Sequence, residues 1–337
     1  MIITKTPLRI GLVGGGSDLP SFHKTNKGAC INVTINKYVY VLVKKRFDKK
    51  IYLKYSENEV VESVDEIKHD FIRETLKFLN IDFGVEVINW ADIPTKGTGL
   101  GSSSSFLVGL LLALHTLMGN KVTKKQIAEE ACEIEINRCG KNIGYQDQFA
   151  ASYGGLNYMT FCGDVSKTQV FPIPIEDQKL VELSDNFMAF FTGFTRESNT
   201  ILTEQSKTLV DDQEKIEMMK ENVHLAENLY YEMIQGCFTT IGFKMDENWR
   251  LKKHFNNSIS NCFIDNMYSK SKWMGADGGK ITGAGGGGFL IIVSEKEHQN
   301  KIKNFLTNYA SGIEHMPIKF DPYGSRVLIN VEEYTWG

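Results

Sequence analysis

The sequence predicts an α+β protein of two domains, and three observations support this prediction. Strand-like stretches come early in the chain, two helical patterns follow them, and strand-like and helical patterns then restart near residue 187. The chain has 337 residues, whereas one domain usually takes roughly 100 to 200. We therefore predict one domain over residues 1–180 and a second over residues 181–337, each with mixed layers of helix and sheet.

Runs of apolar and β-branched residues define the early strands. They read IITKTPLRIGLV, ACINVTI, YVYVLV, IYLKY and VEVINWA. The basic run KKRFDKK at 44–50 separates YVYVLV from IYLKY. We predict a hairpin with a solvated turn at this run, and a patch that binds polyanions is the alternative.

Helices are predicted after these strands. The first runs from the serines at 102–105 to about Met118, and it is apolar on all sides, which is typical of a buried helix. The second begins at Thr123, which forms a TxxQ capping box with Gln126. A longer amphipathic helical region is predicted over 198–235, ahead of the glycine-rich stretch DGGKITGAGGGG and the strand-like FLIIVS.

Charge and cysteine usage exclude several classes of protein. A formal net charge of -3 offers no general attraction for nucleic acid or an anionic membrane. The six cysteines are scattered without a CxxC pair, which favours reduced thiols. The first residues lack the layout of a signal peptide, and the longest apolar run is too short to span a bilayer. We expect a cytoplasmic protein without nucleic-acid or membrane partners, and a homodimer is one candidate assembly.

The stretch KGTGLGSSSSF at 96–106 predicts a phosphate-binding loop. The start of a helix exposes unpaired amides and a positive dipole end, and glycines let a phosphate approach them. Serine hydroxyls in the first turn could donate to phosphate oxygens or bind Mg²⁺. The stretch matches neither the P-loop pattern nor the dinucleotide fingerprint. Serines that only cap a buried helix are the alternative.

Two further glycine-rich stretches, GLVGGGSDLP at 11–20 and ITGAGGGGF at 281–289, favour a phosphorylated ligand. The segments TPLRIGLVGGGSD, PTKGTGLGSSSS and KITGAGGGGF together resemble, in order and position, the three motifs of the GHMP small-molecule kinases. The resemblance spans nearly the whole chain. It implies an N-terminal domain like ribosomal protein S5 domain 2, a ferredoxin-like C-terminal domain, an active site between them, and ATP and Mg²⁺ as cofactors.

The segments GGGSDLP, GACINVTINKYVYV and GFTRESNTIL are similar to the bacterial members that act on D-glycero-D-manno-heptose 7-phosphate. This closer resemblance implies phosphorylation at the anomeric C1 hydroxyl, which gives the 1,7-bisphosphate used for nucleotide-activated heptose and surface glycans. A kinase for an unphosphorylated sugar such as fucose, arabinose or galactose, or for an isoprenoid alcohol, is the alternative within the family. A non-catalytic nucleotide-binding module is the alternative outside enzymes.

The resemblance also implies roles for individual residues. The catalytic pair is Asp147, as base or hydroxyl-orienting group, with Arg9 neutralising charge beside it. The ATP phosphates are assigned to Gly97, Gly99, Gly101, Ser102, Ser103 and Ser104. The substrate is assigned to Gly15, Gly16, Ser17, Asp18, Gly285 and Gly286. Arg196 is a further candidate from the residues themselves, because it follows the apolar stretch NFMAFFTGF and has the hydroxyls of Thr195 and Ser198 beside it. The metal is assigned to Ser103 and Glu135. Relatives commonly show GxD where this chain reads Gly144-Tyr145-Gln146-Asp147, so one extra residue separates the glycine from the acid.

Helix geometry supports the assignment of Glu135 independently. This residue shares an inward stripe of small and apolar residues with Ala128, Ala131 and Cys132, and an inward carboxylate needs a cation or a hydrogen-bond donor. The alternative for Glu135 is an ion pair with a buried Arg or Lys.

Other assignments have structural alternatives too. Asp147 could cap a helix or sit in a turn, Asp18 could form an Asx turn, and Arg9 could make a purely structural ion pair. Arg196, our candidate for the phosphate of the substrate, could be an exposed loop arginine.

Overall fold

The computed structural model describes residues 1–94, 97–195 and 198–331. These residues form an α+β fold, which confirms the predicted fold class. The strands are β1 (Ile2–Val13), β2 (Gly28–Lys45), β3 (Ile51–Lys54), β4 (Asn58–Val61), β5 (Val85–Ala91), β6 (Leu156–Phe161), β7 (Gln169–Pro172), β8 (Phe187–Phe191), β9 (Gly278–Ile281), β10 (Phe289–Val293), β11 (Glu314–Met316) and β12 (Arg326–Asn330). The α-helices are α1 (Pro20–His23), α2 (Asp70–Phe78), α3 (Ser102–Leu117), α4 (Lys124–Cys132), α5 (Gln146–Tyr153), α6 (Asp177–Leu183), α7 (Ser198–Asp211), α8 (Gln213–Ile234), α9 (Ile241–Phe255), α10 (Cys262–Trp273) and α11 (Lys296–Thr307).

The larger sheet has the strand order β12-β1-β2-β5-β3-β4, with β6 and β7 joined to it through β2. Strand β2 is 18 residues long. One edge of β2 pairs with β1, and the other pairs with β6 near its start and with β5 near its end. Strand β2 therefore joins the two parts of the sheet, and β1 ends at the first glycine loop.

The predicted hairpin between YVYVLV and IYLKY is wrong. Strand β5 lies between β2 and β3, and β3 instead pairs with β4 and runs parallel to β5. The edge of β2 is occupied by β5, whose Val85 and Val87 are buried in the core. The turn itself is exposed as predicted, because the side chain of Phe47 points into solvent and Arg46 bonds to Asp48.

Helix α3 confirms the predicted buried helix. Twelve of its 16 residues are buried, and it packs on β1 and β2. The close approach occurs at Gly109, whose carbonyl accepts a hydrogen bond from Thr4 Oγ1 at 2.9 Å. A Cβ at Gly109 would lie 2.7 Å from Thr6 Oγ1. Within the part of the chain that the structure describes, no helix is long and apolar enough to cross a membrane.

Helix α4 begins at the predicted cap and continues in an unusual form. The side chain of Thr123 accepts the backbone N–H of Gln126, whereas the Gln126 side chain bonds to Glu130, so only half of the capping box forms. After Cys132 the helix continues as a π-helical segment, Glu133–Arg138. Such wider turns are frequent at functional sites, and this one carries Glu135.

The smaller sheet has the order β11-β8-β10-β9 and is entirely antiparallel. Its strand β10 is fully buried, and helix α9 lies close to β9. The chain returns to the larger sheet at β12, which pairs with β1. The domain boundary after residue 180 stays a prediction.

Candidate active site

A cleft of about 270 Å³ lies where the three glycine-rich segments meet. The phosphate loop and the third glycine segment touch directly: a Cβ on Gly99 would lie 2.6 Å from the Thr282 carbonyl oxygen, and one on Gly283 would lie 2.5 Å from the Gly99 Cα. Thr282 Oγ1 also donates to the Thr98 carbonyl at 3.0 Å. Glycine is required at both positions, since any side chain would push the two segments apart.

The start of α3 faces this cleft. Gly101 precedes the helix in a left-handed conformation, with a φ of 78°, and offers no side chain to cap it. The predicted alternative, serines that only cap the helix, is not what the structure shows: Ser103 and Ser104 both donate to Glu135, and Ser105 donates to the Pro7 carbonyl. The cleft is lined by all six predicted phosphate residues, namely Gly97, Gly99, Gly101, Ser102, Ser103 and Ser104.

Glu135 lies buried beside the serine row. Its Oε1 accepts from Ser103 Oγ at 2.9 Å, and its Oε2 accepts from Ser104 Oγ and from Gln148 Nε2, both at 2.7 Å. Burial raises the pKa of this carboxyl to about 7, although the three hydrogen bonds act in the opposite direction. Among the described residues Glu135 has no Arg or Lys partner, so the ion-pair alternative receives no support.

The oxygen atoms around Glu135 fit a Mg²⁺ ion whose coordination would be completed by a bound nucleotide. A carboxylate and a serine hydroxyl are oxygen ligands of the kind that Mg²⁺ takes, usually together with waters and phosphate oxygens. The described residues contain no cluster of three or more His, Cys, Asp or Glu that would hold a metal alone. Nucleotide phosphates on the neighbouring helix start would supply the missing oxygens.

Arg9 and Asp147 form an ion pair inside the cleft. Arg9 comes from β1, and Asp147 comes from the first turn of α5, where it caps nothing. Arg9 Nε donates to Oδ1 at 2.7 Å and Nη2 donates to Oδ2 at 2.6 Å. The third nitrogen, Nη1, donates to the Gly99 carbonyl at 2.7 Å. The pair is thereby fixed to the phosphate loop.

Asp18 follows the first glycine loop and lines the same cleft as Asp147. Its carboxylate accepts the N–H groups of Gly16 and Gln146, at 3.0 and 3.2 Å, which is not the pattern of an Asx turn. Gly144 packs against it so closely that a Cβ there would lie 1.9 Å from Oδ2. Burial, and secondarily the charge of Asp147, raise the pKa of Asp18. The buried carboxylate of Asp18 and the partly exposed carboxylate of Asp147 therefore share one cleft.

Several predicted substrate residues are placed differently. Gly15 and Gly16 line the cleft, but Ser17 is buried beneath the loop and bonds to the Gly14 and Ala29 backbone. Gly285 and Gly286 pack against Ile259, and the cleft is lined by Gly283 and Ala284 instead. The geometry thus gives Ser17, Gly285 and Gly286 a supporting position rather than a ligand position. Arg196 lies outside the described residues.

Sequence reasoning missed three lysines of the cleft: Lys141, Lys252 and Lys280. The sequence held one signal for Lys280. This lysine lies in a short apolar strand directly ahead of a glycine-rich loop, where a solvent-exposed lysine is not expected. Lys252 belongs to the run RLKKH, which is typical of a helix surface. Lys141, which pairs with Asp70 at 3.1 Å, stands in a segment without a recognisable pattern.

A second, wider opening of about 940 Å³ adjoins the phosphate loop. It shares Ser102, Ser103 and Lys141 with the first cleft. Its wall contains four aromatic residues: Tyr55, Phe71, Trp90 and Phe106. An aromatic wall beside a phosphate site suits a nucleotide base, and no sequence motif had indicated it.

Comparisons with known proteins agree with this geometry. The family description "GHMP kinases N terminal domain" matches residues 58–155, and "GHMP kinases C terminal" matches residues 229–312. A D-glycero-alpha-D-manno-heptose 7-phosphate kinase from Campylobacter jejuni is 31% identical over 90% of this chain and 92% of its own length. A bifunctional fucokinase/GDP-fucose pyrophosphorylase from Arabidopsis thaliana is 26% identical over 90% of this chain and 31% of its own length.

A solved structure shares the fold over almost the full length. The crystal structure of a D-glycero-D-manno-heptose 1-phosphate kinase from Bacteroides thetaiotaomicron superimposes with a TM-score of 0.80 and covers 98% of this chain and 100% of its own. Its sequence identity to this chain is 24%, so this likeness supports the fold. The two family matches and the 31% identical relative establish more: the chain belongs to the GHMP kinases and is an ATP-dependent phosphotransferase with an alcohol group as acceptor.

Proposed function

We propose that this kinase transfers the γ-phosphoryl group of ATP to the anomeric C1 hydroxyl of D-glycero-D-manno-heptose 7-phosphate and forms the 1,7-bisphosphate. The observation that carries the proposal is the Arg9–Asp147 pair, which is bonded to the phosphate loop through Gly99 and lines one cleft with Asp18. The choice of sugar follows the 31% identical relative, whose name specifies heptose 7-phosphate.

In this proposal the nucleotide spans the two openings. The base would lie against the aromatic wall that includes Trp90 and Phe106, and the phosphates would lie on the glycine loop and the first turn of α3. Ser103 and Glu135 would hold Mg²⁺ beside those phosphates. The metal would spread the negative charge that the β- and γ-phosphates carry during transfer.

The acceptor would lie between the two aspartates. Asp147 would accept or orient the proton of the attacking hydroxyl, and Asp18 would bind other hydroxyls of the sugar. Arg9 fixes the carboxylate of Asp147 through both oxygens and brings a positive charge next to the site of transfer. An anomeric hydroxyl is more acidic than an ordinary alcohol, so a carboxylate suffices as base.

A substrate panel tests the proposal. Purified protein is assayed for ATP-dependent turnover of heptose 7-phosphate, unphosphorylated heptose, fucose, galactose, arabinose and mevalonate, and the product is identified by phosphorus NMR. We expect the highest kcat/KM with heptose 7-phosphate and a new phosphate on the anomeric carbon. A higher kcat/KM with any unphosphorylated compound, or a phosphate on another carbon, would overturn the assignment.

The fucokinase relative supports one second candidate, a sugar-1-kinase for an unphosphorylated sugar. The same cleft would serve, because the Arg9–Asp147 pair and Asp18 do not depend on a phosphate at the far end of the sugar. The panel separates the two candidates directly. Cytoplasmic location and a homodimeric assembly stay predictions.

A further inference from the structure

We propose that Lys252 and Lys280 form a subsite for the phosphate group that the acceptor substrate already carries. This inference rests on the proposed function, since it assumes that the acceptor is a sugar phosphate. It assigns a recognition role to Lys252 of α9 and to Lys280 of β9, the first residue of the third motif KITGAGGGGF.

Both lysines are buried in the cleft wall without a carboxylate partner. Lys252 is 8% exposed and Lys280 is 4% exposed, and both line the cleft. Among residues 1–94, 97–195 and 198–331, neither ammonium lies within ion-pair distance of an Asp or Glu. A buried charge is costly unless it is paired, so two such groups in one wall call for a counter-charge.

The hydrogen bonds of the two ammonium groups are also incomplete. Each ammonium has three N–H donors, and the described residues offer one acceptor to each. Lys252 donates to the Gly283 carbonyl, and Lys280 donates to Asn248 Oδ1 at 2.6 Å. Burial lowers the pKa of Lys252 to about 8 and lowers that of Lys280 as well. A phosphate between them would supply both the missing acceptors and the missing charge.

The position of the lysines favours the acceptor side of the cleft. Both lysines line the same cleft as Asp18, and the charge of Asp18 acts on Lys252. The contacts recorded for Glu135 are two serines and a glutamine, not these lysines. The ATP phosphates are assigned to the side of Glu135, whereas Lys252 bonds to Gly283 where the third glycine segment packs on Gly99. The phosphate of the acceptor and the transferred phosphoryl group are therefore the two anions that Lys252 could meet.

A polar network joins Lys280 to the first glycine loop. Asn248, which accepts from Lys280, donates to Asn222 Oδ1 at 2.5 Å. Asn222 in turn accepts from the Gly14 N–H at 3.2 Å and donates to the Gly15 carbonyl at 3.3 Å. The lysine is therefore anchored to the loop that carries Asp18, and both contact the space in which the acceptor would lie.

The test compares two sugars in matched variants. Lys252→Met removes one ammonium from the cleft. Lys253→Met is the control, because the side chain of Lys253 faces outward and pairs with Asp265 at 3.1 Å. The measured quantity is the kcat/KM for heptose 7-phosphate divided by that for unphosphorylated heptose. We expect Lys252→Met to lower this ratio about 10-fold to 100-fold, mainly through KM, and Lys253→Met to leave it within about 2-fold.

Two further variants test whether the positive charge matters and whether Lys280 shares the role. Lys252→Arg should keep most of the ratio, and Lys280→Met should lower it in the same direction as Lys252→Met. Thermal melts in the presence of inorganic phosphate give a readout without turnover: phosphate should raise the midpoint of the wild type more than that of Lys252→Met. Equal shifts in both proteins would count against the subsite.

The outcomes separate this inference from the proposed function. If the wild type prefers heptose 7-phosphate and Lys252→Met loses kcat equally on both sugars, the lysine acts on the transferred group, and the subsite is wrong while the proposed function stands. If the wild type prefers unphosphorylated heptose, the proposed function itself fails.

Discussion

Arg9 and Asp147 are joined by two parallel hydrogen bonds, and the same guanidinium reaches the Gly99 carbonyl. One arginine therefore ties a strand of the larger sheet, the first turn of α5 and the phosphate loop into a single unit. Such bidentate pairs fix orientation as well as charge. In the proposed mechanism, this unit keeps the carboxylate of Asp147 aligned with the site of transfer before any substrate binds.

The first prediction concerns Asp147→Asn. The amide cannot take up a proton, so kcat should fall about 100-fold to 10,000-fold while the Kd for ATP changes little. Arg9 is left without a counter-charge in a position that is 5% exposed, so some loss of the free energy of unfolding should accompany the loss of kcat. Single-turnover kinetics measure the loss of kcat, and calorimetry measures the loss of stability. A variant that keeps more than about a third of wild-type kcat would remove Asp147 from the mechanism.

The second prediction concerns Glu135→Gln. The loss of the carboxylate charge should raise the Mg²⁺ concentration needed for half-maximal activity, because an amide oxygen is a weaker ligand for Mg²⁺. The thermal midpoint without nucleotide should stay near that of the wild type, since no described cation pairs with Glu135 and a buried charge is removed. An unaltered Mg²⁺ dependence together with a large drop in the midpoint would show a structural role instead.

Local patterns predicted those parts of the site that depend on local geometry. The inward position of Glu135 followed from its spacing to Ala128 and Ala131, and the buried helix α3 followed from its unbroken apolar sequence. The strand order did not follow, because β5 reaches the edge of β2 from about 40 residues away in sequence, so nothing near the turn indicates it.

Lys252 and Lys253 show why the sequence could not predict which side chains face the cleft. They are adjacent on one helix, and the sequence offers no reason to prefer either as the inward residue. The docking of α9 onto the smaller sheet and β1 decides it, with Lys252 buried in the cleft and Lys253 paired with Asp265 on the outside. A contact of this kind depends on the arrangement of whole elements.

The third prediction tests the proposed position of the nucleotide base. Trp90 lines the wider opening, is 44% exposed and stacks on Tyr40. Trp90→Ala should raise the KM for ATP about 10-fold, because a stacking contact with a base contributes about 1 to 3 kcal/mol. The KM for the acceptor should not change. Trp273→Ala is the matched control, since Trp273 is exposed on α10 and lines neither opening.

Tryptophan fluorescence gives the same test without turnover. ATP should quench the emission of the wild type and of Trp273→Ala, and the quenching should largely disappear in Trp90→Ala. Quenching that survives the loss of Trp90 would place the base elsewhere.

The last prediction uses the pKa of Lys252. Burial lowers this pKa to about 8 in the ligand-free protein, well below the ordinary value for lysine of about 10.4. The groups that act on Lys252 are Arg9 and Asp18, and Lys280 lies near it.

A bound phosphate favours the charged ammonium and raises the pKa of Lys252 again, so binding of the sugar phosphate is coupled to uptake of a proton above pH 8. Since the second ionisation of a phosphate ester has a pKa of about 6, the substrate stays a dianion throughout this range. The kcat/KM for heptose 7-phosphate should therefore fall as the pH rises through about 8. Lys252→Arg should make the fall smaller, because an arginine does not titrate in this range and only Lys280, whose pKa burial also lowers, is left in the subsite to lose a proton. The pH profile of the wild type with unphosphorylated heptose should lack the fall. An identical alkaline fall in Lys252→Arg, or with the unphosphorylated sugar, would assign the fall to another group and leave Lys252 without a part in phosphate recognition.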